Sequence, residues 1–202
     1  MEACKPTGYR RKIKCQKNSK EYWYDSPEEH SDVDNYGKNY YGYQILEKVI
    51  LQLQDIPKDG YIVLLGTNRC VALDLLCDHF GRDRCIGYDL HNPIGHECVI
   101  EKDCMELSEA DDIPIAFCHN DLGSFPKTPE LKIYGQKWAA KNVIKGGYFL
   151  GRNNLNSAKF KSEELMHDMG FENLHFKDIQ DQYDMKNFDP SWIEGHMLSR
   201  KK

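Results

Sequence analysis

No stretch of the 202 residues approaches the roughly 20 consecutive apolar side chains that a bilayer-spanning helix needs. The N-terminus, MEACKPTGYRRKIKC, carries basic residues with no apolar run after them, so it lacks the core of a secretory signal and the chain is expected in the cytoplasm. No internal repeat or low-complexity tract occurs, which excludes a solenoid and a polymer-like segment. There is also no Cys-x-x-Cys pair. The eight cysteines, at 4, 15, 70, 77, 85, 98, 104 and 118, lie singly, most of them in apolar runs, and read as reduced core thiols. His91, His96 and Cys98 lie close together but lack the second ligand pair of a structural zinc site, so no metal is expected. Of the three glycines of a dinucleotide-binding G-x-G-x-x-G turn only Gly66 is present, which argues against a nicotinamide cofactor.

What is present is the composition of one folded domain. Hydrophobic residues at 40% and charged residues at 29% exclude a disordered or collagen-like chain, and the length suits one α/β domain with an appendage. The net charge of −5 is uneven. Lys5, Arg10, Arg11, Lys12, Lys14, Lys17 and Lys20 face Glu2 alone in the first twenty residues, which gives +6 there and −11 in the remainder. An acidic stretch from Glu21 to Asp34 follows, so the arm reads as a solvated tail beside its own counter-charge in preference to a nucleic-acid-binding arm. The aromatics Tyr22, Trp23, Tyr24, Tyr36, Tyr40, Tyr41 and Tyr43 suit packing of this extension, residues 1 to 40, on the domain; the alternative is a lid over a ligand.

From residue 41 the pattern becomes regular. Leu46, Val49, Ile50 and Leu53 repeat at helical spacing before the Asp59-Gly60 turn. Tyr61–Leu65 is an unbroken apolar run, the mark of a strand covered on both faces of a parallel sheet. A helix over 69 to 80 follows, ending at Gly81 as its C′ residue. Strands are then expected at 84–89, 97–101, 113–118, 148–151, 171–176 and 193–199, with helices from the Thr128-Pro129 start to about Val143 and from Ser162 to Gly170. This alternation predicts a doubly wound, Rossmann-like α/β sheet over residues 41 to 202.

Ligands of such sheets bind outside the carboxyl ends of the strands. The loops there are Gly66-Thr67-Asn68-Arg69-Cys70, where helix amides can take an anionic group; Asp89, a carboxylate suited to a ribose diol; Asp103-Cys104; and Cys118-His119-Asn120-Asp121. Each has a plain structural explanation taken alone. His119, with an ordinary pKa near 7 at a strand end, is the best general-base candidate, with Asp121 to orient it or act instead.

In this order the segments YIVLLG, CIGYD, VIEKDC, PIAFCHND, WAAKNVIKGGYFLGRNN, GFENLHF and HMLSRKK resemble the class I S-adenosylmethionine-dependent methyltransferases over residues 41 to 202. The resemblance implies a seven-stranded sheet with its last strand antiparallel, S-adenosyl-L-methionine as cofactor, and methyl transfer to an unnamed acceptor. It places cofactor contacts at Gly66, Thr67, Asn68, Asp89, Leu90, Asp103, Cys104 and His119 and substrate contacts at Arg152 and Asn153; His119 and Asp121 are the catalytic candidates, and Tyr40 of the aromatic extension is a further substrate-contact candidate. Arg152 stands where metal-dependent members of that superfamily hold a cation, which argues against obligatory Mg²⁺. Leu64, Asn68 and Cys70 replace the acid and two glycines of the family's first motif. They motivate the alternative of a non-catalytic module that keeps the sheet and has lost or altered the cofactor site.

Overall fold

In the computed structural model the described residues are 10–14, 21–25, 41–67, 70–90, 92, 94–103, 106–107, 112–122, 129–152, 162–179, 181–183, 185 and 195–202. Two short strands, β1 (Arg10–Lys14) and β2 (Glu21–Asp25), pair antiparallel, with Arg10 opposite Asp25 and Lys14 opposite Glu21. The sequence pattern shows no strands here.

The remaining order is α1 (Tyr41–Gln52), β3 (Tyr61–Leu65), α2 (Val71–Phe80), β4 (Cys85–Asp89), β5 (Val99–Glu101), β6 (Ile115–Asn120), α3 (Pro129–Asn142), β7 (Val143–Arg152), α4 (Ser162–Asp168), β8 (Phe171–His175), α5 (Phe176–Ile179) and β9 (His196–Lys201). Seven strands form one sheet in the order β5-β4-β3-β6-β7-β9-β8. The pairs β4–β5, β3–β4, β3–β6 and β6–β7 are parallel, while β9 runs antiparallel to both β7 and β8. The doubly wound α/β sheet with an antiparallel last strand is therefore present as expected.

Alternation along the central strand explains the layers. Ile62 and Leu64 point to the face covered by α1 and α2, where Leu46, Val49, Ile50, Leu73 and Leu76 are fully or almost fully buried. Val63 and Leu65 point to the other face, under Trp138, Ala139 and Ala140 of α3 and Met166 of α4. Each large side chain so buried contributes about 1.5–3 kcal/mol of hydrophobic stabilisation. Gly81 closes α2 as its C′ residue, its amide donating to the Cys77 carbonyl at 2.9 Å with φ 92°.

Two boundaries differ from the sequence reading in ways that matter. β7 begins at Val143, five residues early, because Val143 pairs with Ile115 and the irregularity between Ile115 and Phe117 absorbs the glycines that read as a turn. β6 runs on to Asn120, since β3 and β7 both continue to pair with it, opposite Leu64 and Leu65 on one side and Leu150 and Gly151 on the other. Among the described residues no helix is long and apolar enough to cross a membrane.

Candidate functional site at the carboxyl edge of the sheet

The edge is built first from backbone. After β3 the chain turns at Gly66, whose φ of 84° favours glycine and whose amide donates to the Tyr88 carbonyl at 2.9 Å. A Cβ there would stand 3.3 Å from the Asp121 carbonyl group and from Leu122, so the loops after β3 and β6 pack directly together. Thr67 follows, almost fully buried, with its carbonyl accepting the Cys70 amide at 2.7 Å. Cys70 then opens α2 in the left-handed region at φ 63°, and it is the single non-glycine residue with positive φ among the described residues. It stands where the resemblance would have a glycine, and its backbone adopts a conformation that favours glycine. Burial of the Cys70 side chain pushes its thiol up to about 11.

The acidic groups lie one strand over. Asp89 ends β4, and its carboxylate accepts the Leu90 amide at 2.7 Å through Oδ1 and the Thr67 hydroxyl at 3.3 Å through Oδ2. Its carbonyl accepts the Lys102 amide at 2.7 Å, which ties the β4 end to the residues after β5. Asp103, nearly buried, takes the Glu106 amide on its carbonyl at 2.8 Å. Thr67 and Leu90 are thus bonded to Asp89, Gly66 to Tyr88 just before it, and the Asp89 carbonyl to Lys102, the chain neighbour of Asp103.

His119 behaves differently from the sequence expectation. It lies inside β6, 1% exposed, and among the described residues Nδ1 has no hydrogen-bond partner. Desolvation, helped by the nearby His196, lowers its pKa to about 3, so the ring is neutral and weakly basic at pH 7. The premise of an ordinary pKa at a strand end is corrected: the strand is two residues longer and the ring is in the core. Asp121 follows with its amide on the Leu65 carbonyl at 2.9 Å, and desolvation raises its carboxyl to about 8. Asn120 between them accepts the Leu122 amide on its side chain at 3.2 Å. Leu64, where the family pattern has an acid, is fully buried.

Arg152 ends β7 opposite His196 of β9, on the far side of His119's strand from Asp89. Asn68, Cys104, Asn153 and Tyr40 lie outside the described residues. Sequence reasoning missed the Thr67–Asp89 bond, the role of Asn120 as a turn cap, and His196, which is 3% exposed. Only the first left a signal, a threonine beside the expected glycine turn.

No protein-family profile matches the chain, and no curated protein matches it. Solved structures do. The sugar N-methyltransferase KedS8 from Streptoalloteichus superposes with a TM-score of 0.57 at 9% identity, over 85% of this chain and 92% of that one. CalS10, an amino pentose methyltransferase from Micromonospora echinaspora solved with S-adenosylmethionine bound, gives 0.58 at 7% identity, over 85% and 96%. DesVI from Streptomyces venezuelae gives 0.57 at 10% identity, over 89% and 100%. At such identities the likeness is one of fold, and it agrees with the strand order described above: the chain has the class I fold of the S-adenosylmethionine-dependent methyltransferases.

Proposed function

We propose that the protein binds S-adenosylmethionine at the carboxyl edge of the sheet and transfers its methyl group to an acceptor on a small molecule or a larger partner. The observation that carries this reading is the Asp89 carboxylate, held at the end of β4 by the Leu90 amide and the Thr67 hydroxyl beside the Gly66 turn. An ionised carboxylate oriented at a strand end can accept the two hydroxyls of a ribose, and Asp103 stands on the next strand loop to meet an adenine edge. The donor set therefore fits the nucleoside half of the cofactor. Bound there, S-adenosylmethionine supplies an activated methyl on a sulfonium, a good leaving group.

The protein's share is then mostly positioning, since an in-line displacement gains chiefly from holding the reacting atoms together. His119, neutral and enclosed, is a poor general base. This favours an acceptor whose nucleophile is already unprotonated or sheds its proton to water. Asp121, with its carboxyl raised to about 8, is the better-matched proton acceptor at the β6 end. Arg152 at the end of β7, Asn153 next to it in the sequence and Tyr40 from the extension remain the proposed acceptor contacts, and the cytoplasm remains the proposed compartment.

A second reading, a module without activity, is favoured by Leu64 and by Cys70, which replace the family's ammonium-binding acid and a loop glycine. Calorimetry with S-adenosylmethionine and S-adenosylhomocysteine tests the first. Binding of both is expected, and absence of heat with either at millimolar ligand rejects it. Binding without methyl transfer to any acceptor in a broad radiolabel screen selects the second.

A further inference from the structure

Three consecutive residues in the segment before β5 are each fastened to α2 or to the turn that follows it. His96 Nε2 lies 3.1 Å from Asp74 Oδ1, Glu97 accepts Arg82 at 2.7 Å, and the Cys98 thiol is 3.9 Å from the Cys77 thiol. The segment is also braced from within. The Asn92 side chain donates to the His96 carbonyl at 2.9 Å and accepts the His96 amide at 2.7 Å, while the Cys98 amide donates to His96 Nδ1 at 3.1 Å. Cys98 is therefore held over one turn of α2 by contacts on the two residues before it, without any bond between the sulfurs. Cys77 is buried and Cys98 is partly exposed. A buried thiol facing a reachable one is the arrangement in which an oxidant meets the outer sulfur and the inner sulfur resolves it.

We propose that Cys77 and Cys98 form a reversible dithiol modification site, closing to a disulfide with two-electron thiol oxidants of the hydroperoxide class. The steps balance. The Cys98 sulfur takes one oxygen as the peroxide O–O bond breaks, the other oxygen leaves as water from hydrogen peroxide or as an alcohol from an organic hydroperoxide, and Cys98 is left as a sulfenic acid. The Cys77 sulfur then attacks the Cys98 sulfur, the S–O bond breaks, and the leaving hydroxide combines with the Cys77 proton as water. Two thiols have lost two electrons to one peroxide. Reduction by a small dithiol restores both. Burial pushes the Cys77 thiol up, which keeps it protonated until it attacks. Cys85 also neighbours Cys77 but is buried on β4, away from the oxidant's entry.

The test uses the full chain treated with hydrogen peroxide, followed by alkylation of remaining thiols and tryptic digestion without reductant. Cleavage after Arg69, Arg82, Arg84 and Lys102 yields peptides 70–82 and 85–102, each carrying two cysteines, so fragment ions must locate the bond. A Cys77–Cys98 link that disappears with dithiothreitol is the expected result. It should survive Cys85→Ser and be lost in Cys98→Ser, which replaces a partly exposed side chain and leaves the fold intact. No cross-link between the two peptides, a link through Cys70 or Cys85, or oxidation that stops at Cys98 sulfinic acid would each overturn the proposal.

Discussion

Thr67 and Asp89 meet across the carboxyl edge of the sheet, 22 positions apart in the chain, with the Thr67 hydroxyl donating to Asp89 Oδ2 at 3.3 Å. The bond couples the glycine turn to the acidic strand end, so the two halves of the proposed nucleoside site are one unit. It also alters what removal of the acid does. Asp89→Ala should weaken S-adenosylmethionine and S-adenosylhomocysteine alike by about 2–3 kcal/mol, or roughly 30-fold to 150-fold, because both carry the same ribose. It should also lower fold stability by about 1 kcal/mol, since the Leu90 amide and the Thr67 hydroxyl lose their acceptor. Titration calorimetry and urea unfolding read the two effects separately. Unchanged affinity for both ligands would remove the cofactor from this edge.

Gly87 tests the same unit from beneath. A Cβ at residue 87 would fall inside van der Waals contact of Thr67 Cγ2 and Leu73 Cδ2, and 3.3 Å from Val99. Thr67 and Leu73 are buried, so neither can swing aside into solvent. Gly87→Ala should therefore destabilise the protein by about 1–3 kcal/mol, the usual cost of overpacking, and weaken nucleoside binding by displacing Thr67 from Asp89. A melting temperature equal to the parent's would show that the Thr67 packing is not as tight as drawn.

How far the sequence foretold these features depended on what each residue's chemistry reveals. Buried parallel strands such as Tyr61–Leu65 are apolar without a break, and α1 repeats Leu46, Val49 and Ile50 on one face, so the sheet and its cover could be read directly. Asp89 was legible because an acid after CIGY must sit at a strand end. His119 was not. Polarity suggested a loop beginning at Cys118, whereas continued pairing with β3 and β7 draws two further polar residues into the sheet. Cys70 gives no sign of its conformation, because cysteine seldom adopts positive φ and only the surrounding loop demands it. The β1–β2 ladder lacks the apolar alternation that normally marks a hairpin.

Cys70 also offers a clean measurement of strain. Cys70→Ala and Cys70→Gly both lose the same buried thiol, so the difference between them isolates the left-handed backbone. Glycine adopts φ 63° without the Cβ clash that costs other residues about 1–2 kcal/mol. The glycine variant should therefore be more stable than the alanine variant by about 1 kcal/mol in chemical denaturation, even after its greater unfolded-state entropy is counted. The opposite order would mean that Cys70 is not strained in the folded protein.

His119 inside β6 and Asp121 just after it predict the pH dependence of stability. His119 titrates near 6.5 when unfolded and near 3 when folded, so the unfolded chain takes up its proton first as pH falls. Its contribution is present above pH 6.5 and is lost progressively toward pH 3. Asp121 acts in the opposite sense, with a folded value near 8 against 3.8 unfolded. Its contribution is complete below pH 3.8 and is lost as pH rises through 8. Between about pH 4 and 6.5 the two slopes oppose each other; from 6.5 to 8 Asp121 acts without His119, and below 3.8 His119 acts without Asp121. Each slope is at most about 1.4 kcal/mol per pH unit. Urea unfolding of the parent and of Asp121→Asn at intervals from pH 6.5 to 8 gives a difference curve that isolates the carboxyl group. Parent stability should fall across that window relative to the variant, while His119→Gln should remove the His119 slope from about pH 3 to 6.5, a slope seen without opposition below 3.8. A parent and an Asp121→Asn variant whose stabilities run parallel from pH 6.5 to 8 would mean that the Asp121 carboxyl is solvated and ionised throughout, and would withdraw it as the proton acceptor of the proposed reaction.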